Sequence, residues 1–581
     1  MRYSTYEEID QAWKLIDAGK DEEALKLLVK IGEKAGTYFY KGDYDKAIDI
    51  AMQIKDLYER IGKKIYVAGN LGFLGHIYLQ KGDYEAGLNC GMQSLAIQEE
   101  LGNQIGIAAG LYLVGLAYNY KGKFNQAKEF CKRSLAIKEI DSLTKANALS
   151  CLGLIYNMRG DLYHSIRYFK KCIAIAEKLN NPVLLALNLS FLGAGHALKG
   201  EYDTARKYYE RSLEISEKIG YSFSIGLSLY NMIFSVDIPT LSMKEAENNL
   251  ERLRKFYEQK KDSKFRSHLY SLSKAYILSK SGRSRDRAEA EQLLKQVIED
   301  RITNPSIYIS AGNFLCGFLI QELIKSNDLT ILDEIFPLIT RLENIAEKTH
   351  SYIGLSIAKA TQSALALIQG SFKRAKKLIT EAQRIAEFHS IKTFAQFFSA
   401  FNDRLLEQQE MWEDLEKRNA PISERIEQIN LDPTFNLLLQ TRLPEPPKLV
   451  NEQPVLLLIM DNSGATYFNH PFVPNWDYSD LFSSFMSAFN TFMDEIFSKS
   501  IDRIRVGENT ILINPVEPFL ACYVIKGQSY PALKKLTRFT EAIKENTEIW
   551  QALNKSVKTS EMLEIDKPPE LRSVINEIFT K

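Results

Sequence analysis

The sequence predicts a mainly α-helical protein: a solenoid of stacked helix pairs followed by a small α/β domain. Three observations predict it. A turn motif returns at a near-constant interval, apolar residues between the turns fall at helical spacing, and a late proline-rich stretch is followed by a switch to strand periodicity. At 581 residues the chain exceeds what one hydrophobic core usually supports, so it is expected to form several domains or a repeat array.

The turn motif is Lys-Gly-Asp-Tyr at 41–44 and 81–84, Lys-Gly-Lys-Phe at 121–124, Arg-Gly-Asp-Leu at 159–162 and Lys-Gly-Glu-Tyr at 199–202. Its glycines, Gly42, Gly82, Gly122, Gly160 and Gly200, are 40, 40, 38 and 40 residues apart, which suits two helices of about four turns joined by short loops. Upstream of the turns stand Leu74-Gly75, Val114-Gly115, Leu152-Gly153 and Leu192-Gly193, with Tyr78, Tyr118, Tyr156 and His196 three positions on. Five residues after each turn glycine comes a small residue: Ala47, Gly87, Ala127, Ser165 or Ala205. Two antiparallel helices approach closely only where side-chain bulk is removed, and an aromatic ring then fills the wedge toward the next hairpin. Leu95, Leu135, Ile173 and Leu213 complete an apolar stripe that only neighbouring hairpins can cover.

These residues resemble the tetratricopeptide repeat (TPR), in the lengthened 40-residue form of cell-polarity adaptors and bacterial peptide-sensing regulators. The resemblance is clear over about residues 30–220 and implies a right-handed superhelix. Over 221–390 the segments 221–260, 265–301, 305–350 and 352–388 read as divergent helix pairs, with Gly282 and Gly370 keeping the turn. The array is thus expected over 1–390. A segment at 3–18, with Trp13, caps its start, and a phenylalanine-bearing helix at 391–418 caps its end.

In the family this resembles, the first helix of each pair lines the concave surface. If the Leu-Gly-Tyr stripe packs on the second helix, the positions left to face a ligand are His76, Leu79, Tyr112, Asn119, Tyr120, Asn147, Ser150, Leu154, Asn157 and Ser190. This wall is almost free of charge, so the Lys/Arg clamp with which some TPR domains hold a carboxylate terminus is not expected. Asn119 and Asn157 can hold an extended peptide backbone through donor and acceptor together, or else satisfy local helix ends.

Pro421, Pro433, Pro444, Pro446, Pro447 and Pro454 mark a linker over 419–454. The domain over 455–556 then reads as strands at 455–460 and 466–470 around an Asp-Asn-Ser-Gly turn at 461–464, and a helix at 478–498 bearing Phe482, Phe485, Phe489 and Phe492. Strands at 501–506, 510–514 and 519–525 and a closing helix at 530–553 complete it. A tail over 557–581 ends in a short helix at 570–579. That order resembles a roadblock or longin-type module, or the profilin-like group. The former implies self-association or contact with a small GTPase.

Lys and Arg number 74 against 73 Asp and Glu, which gives no overall attraction to nucleic acid or anionic lipid. Apolar runs such as 111–118 and 454–460 are far shorter than the roughly 20 residues of a membrane span. The first residues lack the apolar core of a secretion signal, so a cytoplasmic protein is expected. Cys90, Cys131, Cys151, Cys172, Cys316 and Cys522 read as reduced, buried thiols. No phosphate-binding loop, zinc motif or nucleophile elbow occurs. The basic clusters at 283–287 and 373–377 read as solvated helix faces. The expectation is therefore a scaffold or adaptor that binds a protein or peptide and carries neither cofactor nor catalytic residue. The alternative is a sensor whose C-terminal domain takes a small molecule.

Overall fold

A computed structural model describes residues 5–237, 242–258, 264–281, 283–300, 305–389, 391–431, 452–461, 465–473, 503–559 and 561–579. Its architecture is mainly helical, with one antiparallel sheet near the C-terminus. The chain divides into two compact units. The first is Met1–Ala358 with Ala386–Thr393 and Gln440–Glu445; the second is Lys359–Ile385, Phe394–Leu439 and Pro446–Lys581. The second unit holds described residues on both sides of the compositional linker at 419–454, of which 432–451 lie outside the described residues.

The first unit opens with helix Thr5–Asp17, and its hairpins then pair helices of similar length: Lys64–Lys81 with Tyr84–Glu100, Gln104–Tyr120 with Phe124–Ala136, Ser142–Arg159 with Leu162–Lys178, and Pro182–Leu198 with Tyr202–Ile219. Entry to five of these eight paired helices is fixed by side-chain caps: Asp83, Asn103, Asp141, Asp161 and Asn181 accept from the backbone N–H three residues on, at 2.9–3.3 Å. The small residues meet as their spacing predicts. A Cβ on Gly75 would lie 2.8 Å from Leu113 and 3.3 Å from the carbonyl of Gly87, and one on Gly115 would lie 2.8 Å from Cys131 Sγ and 3.2 Å from the carbonyl of Ala127. A polar device recurs beside them: Ser94, Ser134 and Ser212 Oγ donate to the carbonyls of Ala68, Ala108 and Ala186 at 2.8, 2.7 and 2.6 Å, each tying second helix to first.

The divergent segments do form helix pairs: Ser222–Met232 with Met243–Glu258, Lys264–Ser279 with Ser284–Glu299, Pro305–Ser326 with Leu332–Lys348, and Tyr352–Ile368 with Phe372–Phe388. Of their two expected turn glycines, Gly370 is left-handed at φ 77°, and Gly282 lies outside the described residues. Two turn glycines of the clear repeats abut this later part. Gly122 has φ 71° and Gly160 φ 82°; a Cβ on the former would lie 2.7 Å from Pro305, and one on the latter 2.7 Å from Ile391. Glycine there serves both the left-handed turn and the close approach. The stretch Ile307–Ser326 is long and apolar enough by composition to cross a membrane, but 83% of it is buried inside the fold, as in a core helix.

In the second unit the expected single helix at 391–418 is two, Lys392–Glu407 and Gln409–Lys417, broken at Gln408. The strands are β1 Gln453–Asp461, β2 Thr466–Pro471, β3 Arg503–Val506, β4 Asn509–Val516 and β5 Phe519–Lys526, antiparallel in the order β2-β1-β5-β4-β3. Both faces of the sheet carry buried apolar residues. Leu457, Ile459 and Tyr523 join Leu536, Phe539 and Phe579 in one cluster, while Leu456, Leu458, Ile513 and Cys522 belong to the other. The helix expected at 478–498 and the turn at 462–464 lie outside the described residues. The closing helix expected at 530–553 is also two, Ser529–Glu545 and Thr547–Thr559. Asn546 starts the second by accepting from the N–H groups of Glu548 and Ile549, both at 3.1 Å, a local bond that competes with helix continuation.

Candidate functional site

Helix Lys64–Lys81 presents His76 toward Tyr112 of helix Gln104–Tyr120, with ring centroids 5.7 Å apart. His76 is half-buried, and desolvation pushes its imidazole down to about 4, which leaves it neutral at physiological pH. Tyr112 is buried, and its phenol is pushed well up, first by burial and then by neighbouring Cys151 and Tyr120. Two helical turns further on, Asn119 keeps only 9% of its surface, and its Oδ1 has no hydrogen-bond partner. That oxygen is not spent on the end of its own helix. Tyr120 stacks on Tyr84 at 5.4 Å with planes 4° apart.

The expected residues beyond Tyr120 lie on later helices, of which Ser142–Arg159 packs Cys151 and Leu152 in one core cluster with Tyr112. Asn147 and Asn157 are half-buried and Ser150 buried on helix Ser142–Arg159. Among the described residues none of the three hydrogen-bonds to His76, Tyr112, Asn119 or Tyr120. Ser190 is fully buried and accepts from Asn231 Nδ2 at 3.4 Å, so it is engaged within the fold rather than offered to a ligand.

Two participants escaped the sequence reading. Gln80 Nε2 donates to Tyr221 Oη at 2.9 Å, and Gln80 Oε1 accepts from Tyr44 Oη at 3.4 Å. The Tyr221 ring meets Tyr40 edge-on at 5.7 Å, and Tyr221 also contributes to the raised phenols of Tyr112 and Tyr120. Residues 141 apart in sequence therefore close around one tyrosine-rich wall. Gln80 occupies the same repeat position as Tyr120, 40 residues earlier, which was a usable signal. Tyr221 lies just before helix Ser222–Met232, where helical geometry assigns no face. Asn70 and Asn188, at equivalent repeat positions, add two more buried amide oxygens without partners.

The tetratricopeptide repeat profile matches residues 66–140 and 144–218, so the hairpins within those residues, which carry His76, Tyr112, Asn119 and Tyr120, are tetratricopeptide repeats. A search of curated proteins returned no match. Among solved structures, the chain is similar to the apo form of RapI, with 14% identity over 59% of this chain and 98% of that one and a TM-score of 0.37. It is also similar to a Rap protein complexed with competence and sporulation factor, with 14% identity over 75% and 99% of the two chains and a TM-score of 0.30. Among the described residues no group of His, Cys, Asp and Glu could hold a metal ion.

Proposed function

We propose that this chain is a non-enzymatic scaffold of the cytoplasm whose repeat wall holds an extended peptide or partner segment. Asn119 carries the reading: a nine-tenths buried amide oxygen without a partner costs stability unless something donates to it, and a peptide N–H is the natural donor. Tyr112 and Tyr120 stand on the same helix as Asn119 and neutral His76 meets Tyr112, so the buried part of the ligand is uncharged, because an unpaired charge buried there would be expelled. Stacked repeats provide the extended surface that such a segment needs.

For the sheet domain we propose partner contact, through self-association or a small GTPase, on the strength of its strand–strand, three-strand, helix order. A small-molecule sensor is the weaker reading, since Leu536, Phe539, Ile543 and Phe579 already fill the layer between the sheet and helix Ser529–Glu545.

The repeat-wall assignment is tested by probing an array of random heptapeptides with the full chain and with the Asn119→Ala/Asn157→Ala double variant. The wild type should select neutral peptides, and the variant should lose about 1–3 kcal/mol of binding. Equal retention of the same peptides by both proteins would show that the wall does not hold them.

A further inference from the structure

A second binding feature lies along helix Leu162–Lys178, away from the residues of the wall. A cleft of about 610 Å³ runs beside it, lined by Leu162, Tyr163, Ile166 and Ala174 and rimmed by Arg167, Lys170, Lys171 and Lys199. Tyr163 is 69% exposed, an unusual degree for an aromatic ring. The charges are as uneven as the floor is apolar. The helix bears Arg167, Lys170, Lys171 and Lys178 against one carboxylate, Glu177, which is already taken by Arg211 at 3.0 Å. Lys199 pairs with Glu201, but among the described residues no carboxylate pairs with Arg167, Lys170 or Lys171.

Two exposed basic residues elsewhere in the first unit are matched across repeats, Lys64 with Glu100 and Arg252 with Glu217. Three unmatched cations around an apolar floor complement a segment that places carboxylates on either side of apolar anchors. We infer that this cleft docks an acidic amphipathic segment of a partner protein, its apolar side chains on Tyr163, Ile166 and Ala174 and its carboxylates on Arg167, Lys170 and Lys171.

The test titrates the full chain with three probes: a labelled helix-forming peptide of Leu at helical spacing flanked by Glu, the same peptide with Lys for Glu, and phosphatidylcholine vesicles containing phosphatidylserine. The acidic peptide should bind with an affinity that falls as salt rises, and the Lys peptide should not bind. The Arg167→Glu/Lys170→Glu/Lys171→Glu variant should weaken the acidic peptide about tenfold or more. All three positions are exposed, and a circular-dichroism melt matching the wild type establishes that the variant is folded. Asn119→Ala should bind the acidic peptide as the wild type does; a loss there would move the peptide to the repeat wall and overturn the inference. So would undiminished binding by the charge-reversed protein, or binding of the vesicles alone.

Discussion

Arg503 is fully buried, and its guanidinium donates to Gln383 Oε1 at 2.6 Å, to Ser399 Oγ at 3.1 Å, to Asp403 Oδ1 at 2.9 Å and to Ser529 Oγ. Asp403 in turn accepts from the Ser529 N–H at 3.0 Å. One cation thereby joins helices Phe372–Phe388 and Lys392–Glu407 to β3 inside the second unit. Asp403→Asn would leave that cation buried without its counter-charge, so urea unfolding should show a loss of about 3–5 kcal/mol. Nothing in the sequence marked Arg503, since it reads as one polar step of a strand whose partners lie 26 to 120 residues away. The helical offset of His76 makes it a candidate wall residue but says nothing of its protonation. Its imidazole titrates near 4 when folded and near 6.5 when unfolded, so the unfolded chain binds the extra proton between those values. Stability should therefore be indifferent to His76 above about pH 6.5 and fall as pH drops toward 4. An NMR titration of the His76 ring should show no midpoint above about pH 5.

The hairpin is where sequence and structure agree most closely, because the step that sets helix spacing is a steric one that glycine and alanine write directly into the sequence. Gly153 and Gly193 lie where a Cβ would fall 2.6 Å from Phe169 and 2.7 Å from Tyr209. The serine bonds between paired helices were not legible, since a serine before Leu95, Leu135 or Leu213 looks like the solvent face of an amphipathic stripe. The third clear hairpin puts Cys172 at that position, so the bond contributes without being indispensable. Ser134→Ala should cost about 1 kcal/mol, read as a shifted denaturation midpoint with unchanged slope. The two broken helices, at Gln408 and Asn546, show the converse limit: apolar periodicity continues through a break, which at Asn546 one side chain makes locally.

Across the whole molecule the near-zero net charge conceals a division of chemistry. The repeat wall sets the unpartnered amide oxygen of Asn119 among tyrosines and a neutral histidine, the helix Leu162–Lys178 carries unmatched cations, and the second unit buries an ion pair to hold itself together. Composition predicts no overall attraction to nucleic acid, yet it averages away these local differences. The central claim is that a peptide lies against Asn119. It is tested most directly by placing a photo-crosslinking phenylalanine analogue in an array-selected peptide, irradiating it with the full chain, and sequencing the adducts by mass spectrometry. Adducts are predicted on helices Lys64–Lys81 and Gln104–Tyr120, competed away by unlabelled peptide. Adducts confined to helix Leu162–Lys178 or to the sheet would contradict a peptide at Asn119.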